Sequence, residues 1–326
     1  MNRLGSPRLS QFVAILAGAL LIGATLPLYA NAGIVFLAGL VAIDIVIALA
    51  FNFLFATVGV LSFGQAGFIL VGAYAAGVAI KFSGVSILPT LILAGVASAF
   101  VAMVIGLVAL RRVSGVYFAV LTLAFASLGF VAVSKSEFLG REDGLTGITR
   151  PDLELGIAAI SLTESVHFYY FVLAVCAVLI AVMWYSTSSQ FGRTLKAIKQ
   201  DADRSAFLGI NVQGFRVAAF VLAGAVTGMA GALLGPLTQI VTPDLGYWTQ
   251  STKPILYAML GGSGFFWGPA VGAVLFAVLS YATRTLVGMT EVITGGLLLV
   301  VVLAIPGGVL GVFQSIARLV RRRSAR

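Results

Sequence analysis

Apolar residues fall in long runs separated by short polar breaks, at approximately 12–30, 34–57, 63–80, 86–110, 116–134, 167–186, 215–240, 254–267, 268–288 and 291–316. Most runs come close to the roughly 20 residues a helix needs to cross a bilayer core. None keeps up the alternation of apolar and polar positions that a lipid-facing β-barrel requires. Lipid offers the backbone no hydrogen-bond partner, so each run is predicted to be a helix. The pattern predicts an all-α, polytopic membrane helix bundle of about ten spans. The run 254–267 is short and ends in Gly261-Gly262-Ser263-Gly264, which reads as a broken or re-entrant helix. That leaves eight to ten full spans in one transmembrane domain over residues 1–326.

Composition agrees: 60% of the 326 residues are hydrophobic and only 10% are charged. A soluble domain carries about 25% charged residues. An ordinary cytosolic enzyme, a disordered chain and a nucleic-acid-binding domain are thereby excluded, although the net charge is +9. The excess has a membrane meaning instead. If the N-terminus is cytoplasmic and the spans alternate, fourteen of the twenty basic residues lie inside, among them Arg111, Arg112, Arg193, Lys196, Lys199, Arg204 and Arg321-Arg322-Arg323. This bias predicts that both termini are cytoplasmic. It also places the loop 135–166 outside and the basic loop 187–214 inside. Ala30-Asn31-Ala32 after the first run resembles a signal-peptidase site. With so many spans following, a retained first helix is the expectation. The single cysteine, Cys176, and the single His167 exclude a disulfide framework and a Cys/His metal site.

The loop 187–214 holds the most informative pattern. Leu195, Ile198 and Ala202 are spaced three and four apart and share one helical face. Arg193, Lys196, Lys199 and Gln200 occupy other faces, and Gly209 stands where such a helix would stop. A short amphipathic helix of this kind fits either anionic lipid headgroups or a groove on a partner protein. A second segment, 59–77, is rich in small residues. Gly72 with Ala76 and Ala73 with Gly77 form small-xxx-small pairs that permit close helix crossings. Ser62 and Gln65 are polar within it. They serve either as interhelical hydrogen-bonding groups or as the lining of a cavity at an interrupted helix. Asp44 lies within the second run, where a charge is costly. It is either functional or matched by a polar partner such as Asn52.

The spans hold no ladder of Asp, Glu and His, which argues against an ion-coupled pump. The run 261–268 lacks the Lys-Ser/Thr ending of a phosphate-binding loop, and no catalytic triad can be assembled around one histidine.

Five stretches in order carry a resemblance. They are Leu61-Ser62-Phe63-Gly64-Gln65-Ala66-Gly67-Phe68 with Gly72-Ala73-Tyr74; residues 115–125; Asp143-Gly144-Leu145-Thr146-Gly147-Ile148; Phe191-Gly192-Arg193 through Leu208-Gly209-Ile210-Asn211; and Gly261-Gly262 with Trp267-Gly268-Pro269 and Gly272-Ala273. Together they resemble the branched-chain amino acid ABC transporter permeases, of the LivM type. The resemblance implies a non-enzymatic subunit of a binding-protein-dependent importer in a bacterial inner membrane. Its partners would be a LivH-like second permease, two cytoplasmic ATPases that bind ATP and magnesium, and an external binding protein. The chain itself would bind no cofactor or metal. The segment 190–211 would be the coupling helix docking on an ATPase. Arg193, Lys196 and Asp201 would make polar contacts there, Leu195 and Ile198 would fill the groove, and Gly209 would end the element. Ser62, Gln65, Asn52 and Asp44 would line the pathway. Three positions depart from the pattern: Ala202/Arg204/Ser205, Lys253 and Gln65, the last where His is frequent. They leave urea or short amides open as solutes. A self-contained secondary transporter or channel is the rival from another class.

Overall fold

A computed structural model describes residues 9–112, 115–154, 159–283, 295–296, 299 and 307–311. The expected span 291–316 and both basic ends lie largely or wholly outside the described residues.

The first two runs form α1 (Leu9–Tyr29) and α2 (Ala32–Asn52). The Asn31 side chain accepts the Ile34 N–H at 3.0 Å and so caps the start of α2. The run then continues as one π-helical turn, Phe53–Val58, which ends at Gly59 (φ +81°). Residues 59–64 carry no helix, and α3 begins at Gln65 (Gln65–Ser83). α4 (Ile87–Arg112), α5 (Val116–Lys135) and α6 (Ser165–Ser188) follow. Next come two short helices, α7 (Gln190–Gln200) and α8 (Ala202–Phe207), then α9 (Val212–Ala232) and α10 (Leu234–Thr238). α11 (Trp248–Gly261) and α12 (Gly268–Thr283) follow. Among the described residues, seven helical stretches are long and apolar enough to cross a membrane.

α11 and α12, with 14 and 16 residues, are not among them. At 1.5 Å per residue α11 rises about 21 Å, short of a core roughly 30 Å thick; α12 is described as far as Thr283. The apolar run 254–267 is therefore not one helix. Helix starts earlier, at Trp248, with a polar first turn, and stops at Gly261 before the turn 262–267. The polar turn is tolerated because its first residues, Trp248 and Thr249, are exposed, and the helix becomes buried at Ser251, whose hydroxyl is bonded to the Ala66 N–H.

The bundle is packed around α9. A Cβ on Gly72 of α3 would stand 2.0 Å from the Gly228 carbonyl oxygen, and one on Gly228 would stand 2.0 Å from Ser98 Oγ of α4. Backbones this close need glycine, and close approach is the main source of helix adhesion where lipid is as apolar as leucine. Of the two small-residue pairs in 72–77, Gly72 makes a helix crossing, whereas Gly77 faces Ile148, Leu145 and Val241.

Those three residues belong to one end of the bundle. There β1 (Leu145–Thr146) pairs antiparallel with β4 (Ile240–Val241), and β2 (Leu153–Glu154) pairs with β3 (Ala159–Ile160). Arg150 donates to the Pro236 and Thr163 carbonyls and to Ser165 Oγ at 3.0–3.2 Å, fixing this loop to the ends of α6 and α10. The 24 residues of α6 separate this end from α7 and α8.

Candidate transport site and coupling face

The break at 59–64 is stitched to other helices by side-chain hydroxyls. Thr122 Oγ1 of α5 accepts the Phe63 N–H at 3.0 Å, Ser62 Oγ accepts the Gly64 N–H at 3.1 Å, and Ser251 Oγ of α11 accepts the Ala66 N–H at 3.0 Å. These bonds satisfy donors at the start of α3 that have no intrahelical partner. Gln65 is fully buried, and its Oε1 accepts from Thr227 Oγ1 of α9 at 2.9 Å. Its Nε2 has no partner among the described residues. A buried, unbonded amide donor is rare in a folded chain. Ser62 and Gln65 therefore share one polar cluster with Thr122, Thr227 and Ser251. It joins four helices where the starts of α3 and α11 meet.

Asn52 and Asp44 do not join that cluster. Asn52 ends α2 and borders a cavity of about 30 Å³ with Thr57, Lys196, Phe265 and Phe266. That volume suits a water or two and is too small for an amino-acid side chain. Asp44, half-buried, accepts from Tyr257 OH of α11 at 3.0 Å. Its polar partner is thus Tyr257 rather than Asn52. The four pathway candidates occupy three places.

The candidates of the loop 187–214 divide as well. The predicted single helix is broken at Asp201, whose extended backbone (φ −156°) separates α7 from α8. The Asp201 carboxylate accepts the Arg204 N–H at 2.9 Å, so it serves as a helix cap within the chain. Leu195 and Ile198 are buried against this chain's own bundle. The groove they fill is internal, which differs from the expected filling of a partner's groove. Phe191 reinforces this seat, with its ring 6.5 Å from Phe53 of the π-turn and 5.7 Å from Phe215 of α9. Lys196 turns inward, with Nζ 3.4 Å from the Thr187 carbonyl, and burial pulls its pKa below the usual lysine value. Lys199 Nζ donates to the carbonyls of Phe55 and Ala56 at 3.1 and 2.8 Å. Gly209, at φ +85°, closes α8 as expected of a helix stop.

Arg193 faces outward. So do two residues that the periodicity missed, Phe207 (91% exposed) and Leu208 (76% exposed). Their signal was a Phe-Leu pair beside a stop glycine at the end of a polar helix.

A polytopic helical membrane protein with a broken-helix polar cluster and a short amphipathic element at one end is the class these features define. A family model described as "Branched-chain amino acid transport system / permease component" matches residues 33–305. The chain belongs to this family. It is 26% identical over 315 residues to the high-affinity branched-chain amino acid transport system permease protein LivM of Salmonella typhimurium, covering 90% of this chain and 74% of that protein. LivM of Escherichia coli is 25% identical over the same shares. The permease protein LivH of Salmonella typhimurium is 28% identical over 156 residues, 47% of this chain and 49% of the relative. The likeness to LivM runs along nearly the whole chain, and the chain is of that type.

Proposed function

We propose that this chain is one of two permease subunits of an importer for branched-chain amino acids, working by alternating access and driven by two cytoplasmic ATPases that hold the ATP and magnesium. Both termini and the α7–α8 end face the cytoplasm, and the loop 135–166 meets an external binding protein. The observation that carries this reading is the division of labour on α7 and α8. Leu195, Ile198 and Phe191 fasten the element to the bundle, while Phe207 and Leu208 remain bare at the end of α8, and Arg193 and Arg204 are exposed on α7 and α8. Large exposed apolar groups ringed by polar ones mark a protein contact. A second permease similar to LivH completes the path. The broken-helix cluster around Ser62 and Gln65 is the part of this chain that touches solute. Affinity for the solute rests mainly on the external protein.

The test is affinity purification of the tagged chain from a host expressing the whole system. The wild-type chain is expected to bring down the ATPase subunits, and Phe207→Asp with Leu208→Asp is expected to lose them while the second permease stays bound. Retention of the ATPases overturns the docking face. Vesicles holding the purified chain alone are expected to accumulate neither leucine nor urea. Uptake by them would establish a self-contained transporter instead. With the whole system, preference for urea over leucine overturns the solute.

A further inference from the structure

We propose that Lys199 is the residue through which movement of α7 reaches the break at 59–64, and so the polar cluster at Ser62 and Gln65. This rests on the reading of α7 and α8 as the ATPase-coupled element.

The argument starts at the π-turn. With bonds running from residue i to i+5, the turn ends abruptly when Gly59 turns left-handed, and the N–H groups of both Gly59 and Val60 go to the Leu54 carbonyl. The carbonyls of Phe55 and Ala56 point onward, and the Lys199 ammonium takes both. A cation there also meets the negative end of the helix dipole. The contact is steric as well as polar, since a Cβ on Gly59 would lie 2.8 Å from Lys199 Cγ. The lysine stem thus rests on the backbone at the point where the chain leaves the helix.

The rest of α7 is held differently. Phe191, Leu195 and Ile198 hold it through apolar and ring contacts, which are non-directional. Among the described residues, Lys199 is the one α7 side chain hydrogen-bonded to the α2–π segment. Beyond Gly59 the chain carries no helix as far as Gly64 and is bonded at Phe63, Gly64 and Ala66 to hydroxyls of Thr122, Ser62 and Ser251. A shift of the Phe55–Gly59 backbone is therefore transmitted to α3, α5 and α11 together. Lys199 is a positioning residue: it touches the backbone of the break and acts on Gln65 through it.

The experiment compares wild type, Lys199→Met and Lys199→Arg in the complete transporter reconstituted with its ATPases and binding protein. In Lys199→Met, backbone amide exchange at 59–64 is expected to rise about tenfold, with exchange at 192–198 unchanged. Leucine moved per ATP hydrolysed is expected to fall about tenfold, with the ATPases still bound. Lys199→Arg, which keeps a cationic donor, is expected to restore most of both. If Lys199→Met does not accumulate, Lys199→Gln is measured in the same way. Unchanged exchange at 59–64 overturns the proposal whatever the ATPases do. Raised exchange with transport per ATP within twofold of wild type also overturns it. A wild-type chain that binds no ATPase while Lys199→Met still loosens 59–64 counts against the importer reading and leaves the lysine clamp standing.

Discussion

Lys196 is a cation turned toward the protein with only a long contact to the Thr187 carbonyl. Burial lowers its pKa from 10.5. The unfolded chain keeps the proton up to that value, whereas the folded chain releases it earlier. Between the two, the unfolded state binds more protons, so stability rises with pH across that window. Below it the buried charge is a steady cost, reduced by water reaching a partly exposed group. Lys196→Met removes both the cost and the rise. In detergent at neutral pH the variant is expected to melt roughly 1–2 °C higher, the equivalent of about 1 kcal/mol in a chain of 326 residues. The gap should close as the pH nears 10.5. Thermal unfolding across that range checks it, and a variant that melts lower at neutral pH means that the ammonium has a stabilising partner. Beside it, Lys199 meets two carbonyls at 2.8–3.1 Å. Two lysines three residues apart thus differ in setting because one meets two carbonyls closely and the other meets one at 3.4 Å beside a small cavity.

At the scale of elements, adhesion comes from backbone approach rather than apolar burial. Gly72 of α3 has its would-be Cβ 2.0 Å from a backbone carbonyl of α9, an atom that cannot swing aside. Gly72→Ala must push the two helices apart or strain them, at about 1–3 kcal/mol. The expected outcome is a lower melting temperature, with the chain still inserted in the membrane. An unchanged melting temperature means that the crossing is looser than described. Gly18 of α1 has nothing within 4 Å, so Gly18→Ala is the matched control and should be neutral. These elements were legible in the sequence to different depths. Long apolar runs give membrane helices because the signal is local, as does the stop at Gly209. The amphipathic face of Leu195 and Ile198 was legible as a face, but its partner was not. Periodicity says that a stripe is buried, not against which chain. The π-turn at Phe53–Val58 was hidden because its residues are as apolar as the helix before it. Tyr257 meets Asp44 across 213 positions, and Lys199 meets Ala56 across 143. No local pattern announces contacts of that range, and so the polar candidates separated into three places when the chain folded.

At the scale of the molecule, the described helices fix two ends. One carries the strand pairs and Arg150, whose pKa burial lowers while the two carbonyls hold it in place. The other carries α7, α8 and the lysine clamp. Which end meets ATP decides whether the coupling reading stands, because ATPases can dock only on the cytoplasmic side. Charge bias predicts that end to be α7–α8. The chain suits a direct test, since Cys176 is its single cysteine and is buried in α6. In a Cys176→Ser background, Glu142→Cys places a thiol on an exposed position of the strand-bearing end, and Leu208→Cys replaces a residue that is 76% exposed at the other. A membrane-impermeant maleimide added to intact spheroplasts is expected to label Glu142→Cys fully. It should label Leu208→Cys only after the membrane is permeabilised. Binding of the ATPases should then protect Leu208→Cys from the reagent and leave Glu142→Cys as reactive as before. The reverse order of labelling would put Arg193, Phe207 and Leu208 outside, where no ATP-driven subunit could reach them, and the power for transport would have to enter through the strand-bearing end.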